Sequence, residues 1–281
     1  MKKTVLITGS TGFVGSALKA RLVAGGHNVV ELEGADIRSH DIYQRFDGVD
    51  VVMHLAGRSS LKVCEDDPEG TQAINVEGSA NVFEAARRAG IPKVLYASTL
   101  LLNIHEAAQM NQYLRSKAQV EEIAERFHAE HGMAMTSLRY GNIYGPALPG
   151  SGKGGVIRLF IELLLKGLHP TLFEGDEHNK RDFVHLNDVT DCNVRCVEST
   201  LDAPLLGIGS DESYTAPEVL AMIQSKLGTH IEPRIEPHPA YVPQGSVTTD
   251  LAAARSLGWE PKIKLEEGID AMIAHMRKTV V

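Results

Sequence analysis

A short stretch near the N-terminus decides the fold, and it reads Val5-Leu6-Ile7-Thr8-Gly9-Ser10-Thr11-Gly12-Phe13-Val14-Gly15. Its apolar start predicts a buried strand, and the residues from Ser16 to Ala24 predict a helix, so three glycines lie between a strand and a helix. Each glycine has a use at this spacing: one makes a tight turn, one admits a phosphate to the backbone, and one lets the helix pack on the strand. The free N–H groups at the helix N-terminus attract anions. The stretch therefore predicts a pyrophosphate site.

The segments that follow alternate short apolar runs with helix-length stretches, which is typical of βαβ units and a parallel sheet. The runs lie at 5–8, 29–32, 51–55, 94–97 and 135–138. Residues 1–140 are therefore expected to form a doubly wound parallel sheet of α/β class (Rossmann), a dinucleotide-binding domain to which later segments return. Residues 141–281 are expected to form mainly a smaller C-terminal α/β lobe that binds substrate.

Composition excludes several classes of protein. The chain has 281 residues, of which 28 are basic and 36 acidic, giving a formal net charge of -8. An acidic surface argues against nucleic acid as a partner. The apolar runs are too short or too interrupted by charges for a membrane span or a signal peptide. Three scattered cysteines fit neither a disulfide framework nor a zinc site, which favours a cytoplasmic location and predicts no metal centre.

Residues around the glycine turn are candidates for holding a dinucleotide. Besides the turn itself, Glu33 stands at the end of the second apolar run, about 20 residues after the turn, where an acidic side chain binds the adenosine ribose hydroxyls. Its carboxylate would repel a 2′-phosphate, which favours NAD, while Arg38 nearby leaves NADP open. Asp36-Ile37 and Leu55-Ala56-Gly57 are candidates to bracket the adenine and the diphosphate.

A second candidate group is Tyr113-Leu114-Arg115-Ser116-Lys117, which places a phenol and an ammonium one helical turn apart. A free tyrosine has a pKa near 10, which is too high for a base at neutral pH. A neighbouring cation favours the phenolate and lowers that pKa. The same spacing occurs in many solvated helices, but the glycine turn and Ser98-Thr99 at a strand end favour a catalytic interpretation here.

Three motifs thus occur together: Thr8-Gly9-x-x-Gly12-x-x-Gly15, Ala97-Ser98-Thr99 and Tyr113-x-x-x-Lys117. Further stretches are His54-Leu55-Ala56-Gly57, Asn75 to Asn81, Leu138 to Pro146, Lys180 to Val189 and Leu257 to Pro261. This set resembles the extended short-chain dehydrogenase/reductase family, in particular its NAD-dependent sugar-nucleotide epimerase and dehydratase branch. The resemblance covers nearly the whole chain in the family's order.

The resemblance implies that Tyr113 exchanges a proton with a sugar hydroxyl while hydride passes between the sugar carbon and the nicotinamide. Lys117 would hold the nicotinamide ribose and lower the pKa of Tyr113. Thr99 would hydrogen-bond the same hydroxyl. Asn142 and Arg181 would contact the substrate, and the planar fork of Arg181 suits the phosphate oxygens of a nucleotide diphosphate.

Two departures from the family pattern bear on the reaction. Leu100-Leu101 stands after Thr99 where dehydratase members carry an Asp-Glu pair, so dehydration is not expected. The interval from Thr99 to Tyr113 is also shorter than in most members, which removes loop that ordinarily lines the sugar pocket and leaves the sugar open.

The favoured function is therefore an NAD-dependent nucleotide-sugar epimerase. One alternative is an NAD(P)H-dependent 4-keto-sugar-nucleotide reductase, which uses the same residues, and a second is a non-catalytic dinucleotide-binding sensor. The family also implies a homodimer that pairs the helices around residues 75–88 and 113–127.

Overall fold

The computed structural model describes residues 2–32, 34–104, 110–146, 155–200 and 202–279. Their strands are β1 (Thr4–Thr8), β2 (Asn28–Glu31), β3 (Val51–His54), β4 (Lys93–Thr99), β5 (Ala134–Tyr140), β6 (Asn142–Tyr144), β7 (Thr171–Phe173), β8 (Arg181–His185), β9 (Leu205–Ile208), β10 (Ser213–Tyr214) and β11 (Arg234–Glu236). Their α-helices are α1 (Phe13–Ala24), α2 (Leu61–Asp66), α3 (Pro68–Thr71), α4 (Gly78–Arg88), α5 (Gln112–His131), α6 (Gly155–Leu165), α7 (Leu186–Glu198), α8 (Ala216–Leu227), α9 (Ala252–Ser256) and α10 (Leu265–Thr279). None of the helices in these ranges is long and apolar enough to cross a membrane.

Six strands form a parallel sheet in the order β2-β1-β3-β4-β5-β9. The doubly wound parallel sheet expected from the apolar runs is thereby confirmed. β9 pairs with β5, so a late segment returns to the sheet. Because the strands are parallel, their carboxyl ends share one edge of the sheet. Thr8, His54 and Thr99 end three neighbouring strands along that edge.

Helices cover both faces of this sheet, because alternate side chains of a strand point to opposite sides. Ile7 of β1 packs in one core cluster with Leu18 of α1. Its neighbour Leu6 belongs to a second cluster, which includes Phe83 of α4 and Val120 of α5. Burial on both faces explains why these strands read as continuous apolar runs.

A smaller lobe follows the fifth strand of the sheet. Its strands lie in the order β10-β8-β6, with β6 and β8 parallel and β10 antiparallel to β8. Apolar side chains of α6, α8 and α10 form its core, among them Phe160, Ile223 and Ile269. β7 and β11 form a separate parallel pair. The assignment of residues 1–140 to the cofactor and 141–281 to the substrate stays a prediction of the sequence.

A buried tryptophan, Trp259, packs the C-terminal part of the chain against the first lobe. Trp259 is 1% exposed within the cluster that contains Ile7, and its ring N–H donates to the carbonyl of Asp188 at 3.0 Å. The Asp188 carboxylate in turn accepts the backbone N–H groups of Lys262 at 3.1 Å and Ile263 at 2.9 Å. Helix α7 is thereby joined to the segment that leads into α10.

We expect Trp259→Ala to lower the free energy of unfolding by about 3 to 5 kcal/mol, because it leaves a large cavity and removes the ring N–H bond to Asp188. Urea denaturation followed by circular dichroism measures the change. Leu168→Ala, at a side chain that is half exposed, should have little effect. A loss below about 1 kcal/mol for Trp259→Ala would show that this residue does not hold the C-terminal part of the chain against the first lobe.

Candidate active site

The glycine turn joins β1 to α1, and at Gly9 and Gly15 it has no room for a side chain. Gly9 has a φ of +71°, and a Cβ on it would lie 2.8 Å from the backbone nitrogen of Ala56. A Cβ on Gly15 would overlap the carbonyl of Gly9. Gly12 caps α1, whose first turn has no side-chain cap and no acidic residue. The backbone N–H groups of that turn are thus available to an anion, and the cradle fits a pyrophosphate.

The residues expected near the adenosine lie beyond β2. Asp36 and Arg38 form an ion pair, with Nη2 of Arg38 2.6 Å from Oδ2, and this hydrogen bonding lowers the pKa of Asp36 to about 2. Ile37 is buried and packs on Gly78, at which a Cβ would lie 2.7 Å from Cδ1 of Ile37. Glu33 lies outside the described residues. The pairing of Arg38 with Asp36 neutralises the cation that would otherwise favour a 2′-phosphate.

Most of the predicted site residues meet in one cavity of 460 Å³ at the carboxyl edge of the sheet. They are Gly9, Gly12, Phe13, Val14, Gly15, Leu55, Gly57, Thr99, Tyr113, Lys117 and Asn142. Ser10, Ala56, Asp36 and Ile37 are not among its lining residues, and Thr11 is exposed on the turn. Arg58, Ser59, Leu61 and Val156 also line it, although no sequence pattern singled them out, and so does Leu101, which the sequence marked only as a departure from the dehydratase pattern.

The three residues expected to do chemistry come from β4 and α5. Thr99 ends β4, while Tyr113 and Lys117 lie on the first two turns of α5. The Lys117 ammonium donates to the carbonyl of Ala97 at 2.9 Å and lies 5.9 Å from the centre of the Tyr113 ring. A proton donor, a hydroxyl and a cation therefore face the cavity together.

Burial shifts the pKa values of this pair in opposite directions. Enclosure by the protein raises the pKa of Tyr113 to about 12, against a hydrogen bond with Thr99 that lowers it. Enclosure lowers the pKa of Lys117 to about 8. Desolvation of the Tyr113 phenol thus outweighs the expected attraction between its phenolate and the Lys117 cation. Tyr113 therefore keeps its proton at neutral pH in the protein alone.

A buried chain of hydrogen bonds that the sequence motifs did not predict runs from Thr8 through His54 and Ser79 to Asn75. The Thr8 hydroxyl accepts the N–H groups of residues 55–56, so its own proton goes to Nδ1 of His54 at 2.7 Å. Nε2 then carries the ring proton and donates to Ser79 at 2.8 Å, whose hydroxyl donates to the carbonyl of Asn75. Burial lowers the pKa of His54 to about 3, which keeps the ring neutral.

The chain of bonds continues from Asn75 to α5, the helix that carries Tyr113 and Lys117. The Asn75 side chain accepts the N–H of Arg58 at 2.7 Å and donates to the Ser116 hydroxyl at 3.0 Å. Ser116 donates in turn to the carbonyl of Tyr113 at 2.7 Å. The end of β1, which leads into the glycine turn, is thereby connected to the first turn of α5.

Arg181 lies outside the lining of this cavity. Its guanidinium donates to the carbonyls of Lys180, Pro243 and Gly245, the last at 2.5 Å. These bonds use three of its five N–H groups. Residues 243–245 belong to a second cavity, which Asn111 and Tyr241 also line.

Comparisons with known proteins agree with this geometry. Residues 5–204 match the model of the NAD dependent epimerase/dehydratase family. A putative UDP-glucose 4-epimerase of Methanocaldococcus jannaschii is 29% identical, over 97% of this chain and 98% of the relative. The crystal structure of a UDP-glucose 4-epimerase of Thermus thermophilus in complex with NAD is 29% identical with a TM-score of 0.86, covering 98% of this chain and 99% of that one. A UDP-glucose 4-epimerase of Thermotoga maritima, solved with UDP-glucose, is 26% identical with a TM-score of 0.89, covering 99% and 100%.

Three observations lead to one conclusion. The family model matches most of the chain, the parallel sheet carries a glycine turn that admits no side chain at Gly9 or Gly15, and Thr99, Tyr113 and Lys117 meet in one cavity. The chain belongs to the NAD dependent epimerase/dehydratase family, within the sugar-nucleotide branch of the extended short-chain dehydrogenases/reductases, and is an NAD-dependent enzyme.

Proposed function

We propose that the protein is a nucleotide-sugar epimerase that oxidises and re-reduces one carbon of the sugar, C4. The observation that carries this proposal is the meeting of the glycine turn with Thr99, Tyr113 and Lys117 in one cavity. Asn142 and Tyr144 line the same cavity from the second lobe. This supports a cofactor role for residues 1–140 and a substrate role for residues 141–281.

The relatives support a UDP-hexose as substrate. Similar proteins from Methanocaldococcus jannaschii and Thermotoga maritima are described as UDP-glucose 4-epimerases, the first as putative. We propose UDP-glucose and UDP-galactose as the first pair to test.

NAD is held in this proposal by the backbone of residues 9–15 and by Lys117, with Asp36 and Ile37 at the adenine. When bound, NAD supplies a hydride acceptor and a positive charge to the cavity. Thr99 and Tyr113 would hold the C4 hydroxyl between them and take up its proton at the phenolic oxygen. The Lys117 ammonium, fixed by the carbonyl of Ala97, stabilises the Tyr113 phenolate that must form before this proton is taken up and that becomes a phenol when it is.

The pKa of about 12 for Tyr113 has a consequence for the proton transfer. A phenol that holds its proton at neutral pH is ready to donate it to a keto oxygen. It becomes a base only when positive charge is added beside it, since a nearby cation favours the phenolate. Tyr113 is thus expected to act as a base toward the hydroxyl and as an acid toward the ketone.

Epimerisation also needs the keto sugar to present its other face. Apolar side chains, Leu61, Leu101 and Val156, contribute to the cavity wall. Such side chains exclude water without fixing the orientation of a ring through hydrogen bonds, which permits it to turn. Leu100 is buried and Leu101 lines the cavity, so neither supplies the acid that eliminating water requires.

The diphosphate would anchor the nucleotide while the sugar turns. Arg181 keeps two N–H groups beyond those that bind carbonyls, and a planar fork suits phosphate oxygens. The second cavity lies beside it, lined by residues 243–245. We propose that Arg181 contacts the nucleotide diphosphate from this side.

Tyr113→Phe should reduce epimerisation by about 100-fold to 10,000-fold, because it removes the proton carrier and keeps the ring. NMR of the anomeric protons follows conversion of UDP-glucose to UDP-galactose. NAD binding, measured by calorimetry, should change little.

Tyr214→Phe is the matched control, since the Tyr214 hydroxyl bonds Glu212 away from the cavity. It should retain activity. Full activity in Tyr113→Phe would overturn the assigned role. Wild-type protein that consumes NADH with a 4-keto sugar and leaves hexoses unchanged would identify the reductase instead.

A homodimer through α4 and α5 is part of the proposal. The outward faces of these helices carry charges of both signs, including Arg87 and Arg88 on α4 and Arg115, Glu122 and Arg126 on α5. A contact between such faces would rest on complementary charges, which salt screens. Sedimentation velocity should therefore show a dimer at low ionic strength that weakens as salt is added, and a monomer at every salt concentration would contradict it.

We also propose a cytoplasmic location. Cys64, Cys192 and Cys196 are buried and form no disulfide, as expected of a protein in a reducing compartment.

A further inference from the structure

One buried carboxylate lies behind the reaction centre and takes no part in the steps above. Glu121 stands on α5 one turn after Lys117, and its side chain is 12% exposed. It accepts hydrogen bonds from the hydroxyls of Ser98 at 2.7 Å and Ser137 at 2.5 Å, and from two N–H groups of Arg139 at 2.9 and 2.5 Å. A single side chain thus joins α5 to both β4 and β5.

The two elements joined in this way carry the reacting groups. Ser98 precedes Thr99 on β4. Tyr113, Lys117 and Glu121 follow one another at four-residue steps, so they share one face of α5. The bond between Ser98 and Glu121 therefore links the strand that carries Thr99 to the helix that carries Tyr113.

Arg139 extends the same network to the turn that follows Thr99. Its Nη1 donates to the side chain of Asn103 at 2.7 Å. Asn103 ends the 3-10 turn Leu100–Asn103, which brings Leu101 to the cavity wall. Positions on both sides of Thr99 are therefore tied to the carboxylate of Glu121.

The charge of Glu121 also acts on Lys117. Four titratable groups face this ammonium: Cys64 from α2, His54 from β3, and Tyr113 and Glu121 from its own helix. Cys64 and Glu121 both raise the pKa of Lys117, but burial raises the pKa of the thiol, so Cys64 is neutral at neutral pH. His54 and Tyr113 are neutral there as well.

Glu121 is ionised at neutral pH. Burial acts to raise the pKa of its carboxyl, but hydrogen bonds from Arg139, Ser137 and Ser98 outweigh burial and hold that pKa below its ordinary value. Of the four groups, Glu121 alone therefore supplies negative charge to Lys117 at neutral pH.

We propose that Glu121 is a positioning residue of the reaction centre, which sets the spacing of Thr99 and Tyr113 by joining α5 to β4 and keeps the Lys117 ammonium charged. The expected effect of Glu121 on kcat rests on the proposed epimerase function. Its expected effect on the charge of Lys117 can be tested in the protein alone. Glu121 touches neither substrate nor NAD in this assignment.

Glu121→Gln tests both parts, because it keeps the size of the side chain and removes the charge. We expect kcat for UDP-glucose to fall on the order of 10-fold to 100-fold with KM within about twofold, as for a loss of alignment in the transition state. In protein without substrate or cofactor, NMR of lysines labelled at Cε should show Lys117 titrating at lower pH than in the wild type. The sign follows because a cation that loses a neighbouring anion gives up its proton more readily.

Two variants separate charge from structure. Glu130→Gln removes the same charge from the exposed last turn of α5, beyond the residues proposed for the dimer contact, and should leave both kcat and the Lys117 titration unchanged. Ser137→Ala removes one hydrogen bond and keeps the charge, so it should leave the titration in place. An unshifted titration or an unchanged kcat in Glu121→Gln would overturn the proposal.

A third variant covers the case in which Glu121→Gln does not fold. Ser98→Ala removes only the bond to β4, and it must lower kcat more than Ser137→Ala does, while equal activities would overturn the positioning role. If the wild type epimerises no sugar, the lysine titration still tests the electrostatic part, so failure of the proposed function is distinguishable from failure of this inference.

Discussion

The functional site depends on how closely three backbone segments approach one another around Gly9. Gly9 has a positive φ, and a Cβ on it would lie 2.8 Å from the backbone nitrogen of Ala56, so it admits no side chain. A Cβ on Gly15 would overlap the carbonyl of Gly9. This contact brings together the end of β1, the start of α1 and the end of β3. The N–H groups of α1 then face the same cavity as the end of β4, so a bound dinucleotide can lie beside Thr99 and Tyr113.

Electrostatics in this site are governed by burial as much as by opposite charge. In the proposed function, this acidic chain would hold anions with backbone N–H groups at α1 and with single cations, Lys117 and Arg181, rather than with a basic surface. Burial raises the pKa of Tyr113 and lowers that of Lys117, which leaves the phenol protonated until positive charge is added. Under the proposed function, the positive charge of an oxidised cofactor would prepare Tyr113 to accept a proton.

Local patterns in the sequence predicted the sheet, the glycine turn and the convergence of Thr99, Tyr113 and Lys117, because parallel strands that end in motifs share one edge. They did not predict the partners of Arg181, since carbonyls at 243–245 are far from it along the chain. The chain of bonds from Thr8 through His54 to Asn75 was missed for the same reason: its members lie on different elements. The expected lowering of the pKa of Tyr113 was outweighed by desolvation, which depends on packing that no local motif encodes.

We propose that one carbon of a nucleotide sugar is oxidised and re-reduced within a single cavity. Wild-type protein and NAD incubated in ordinary water with UDP-glucose deuterated at C4 of the sugar test it most directly, with the product examined by NMR. We expect UDP-galactose that retains deuterium at C4, because the deuteride leaves and returns without contact with solvent. Epimerised product that carries a solvent proton at C4 would contradict it.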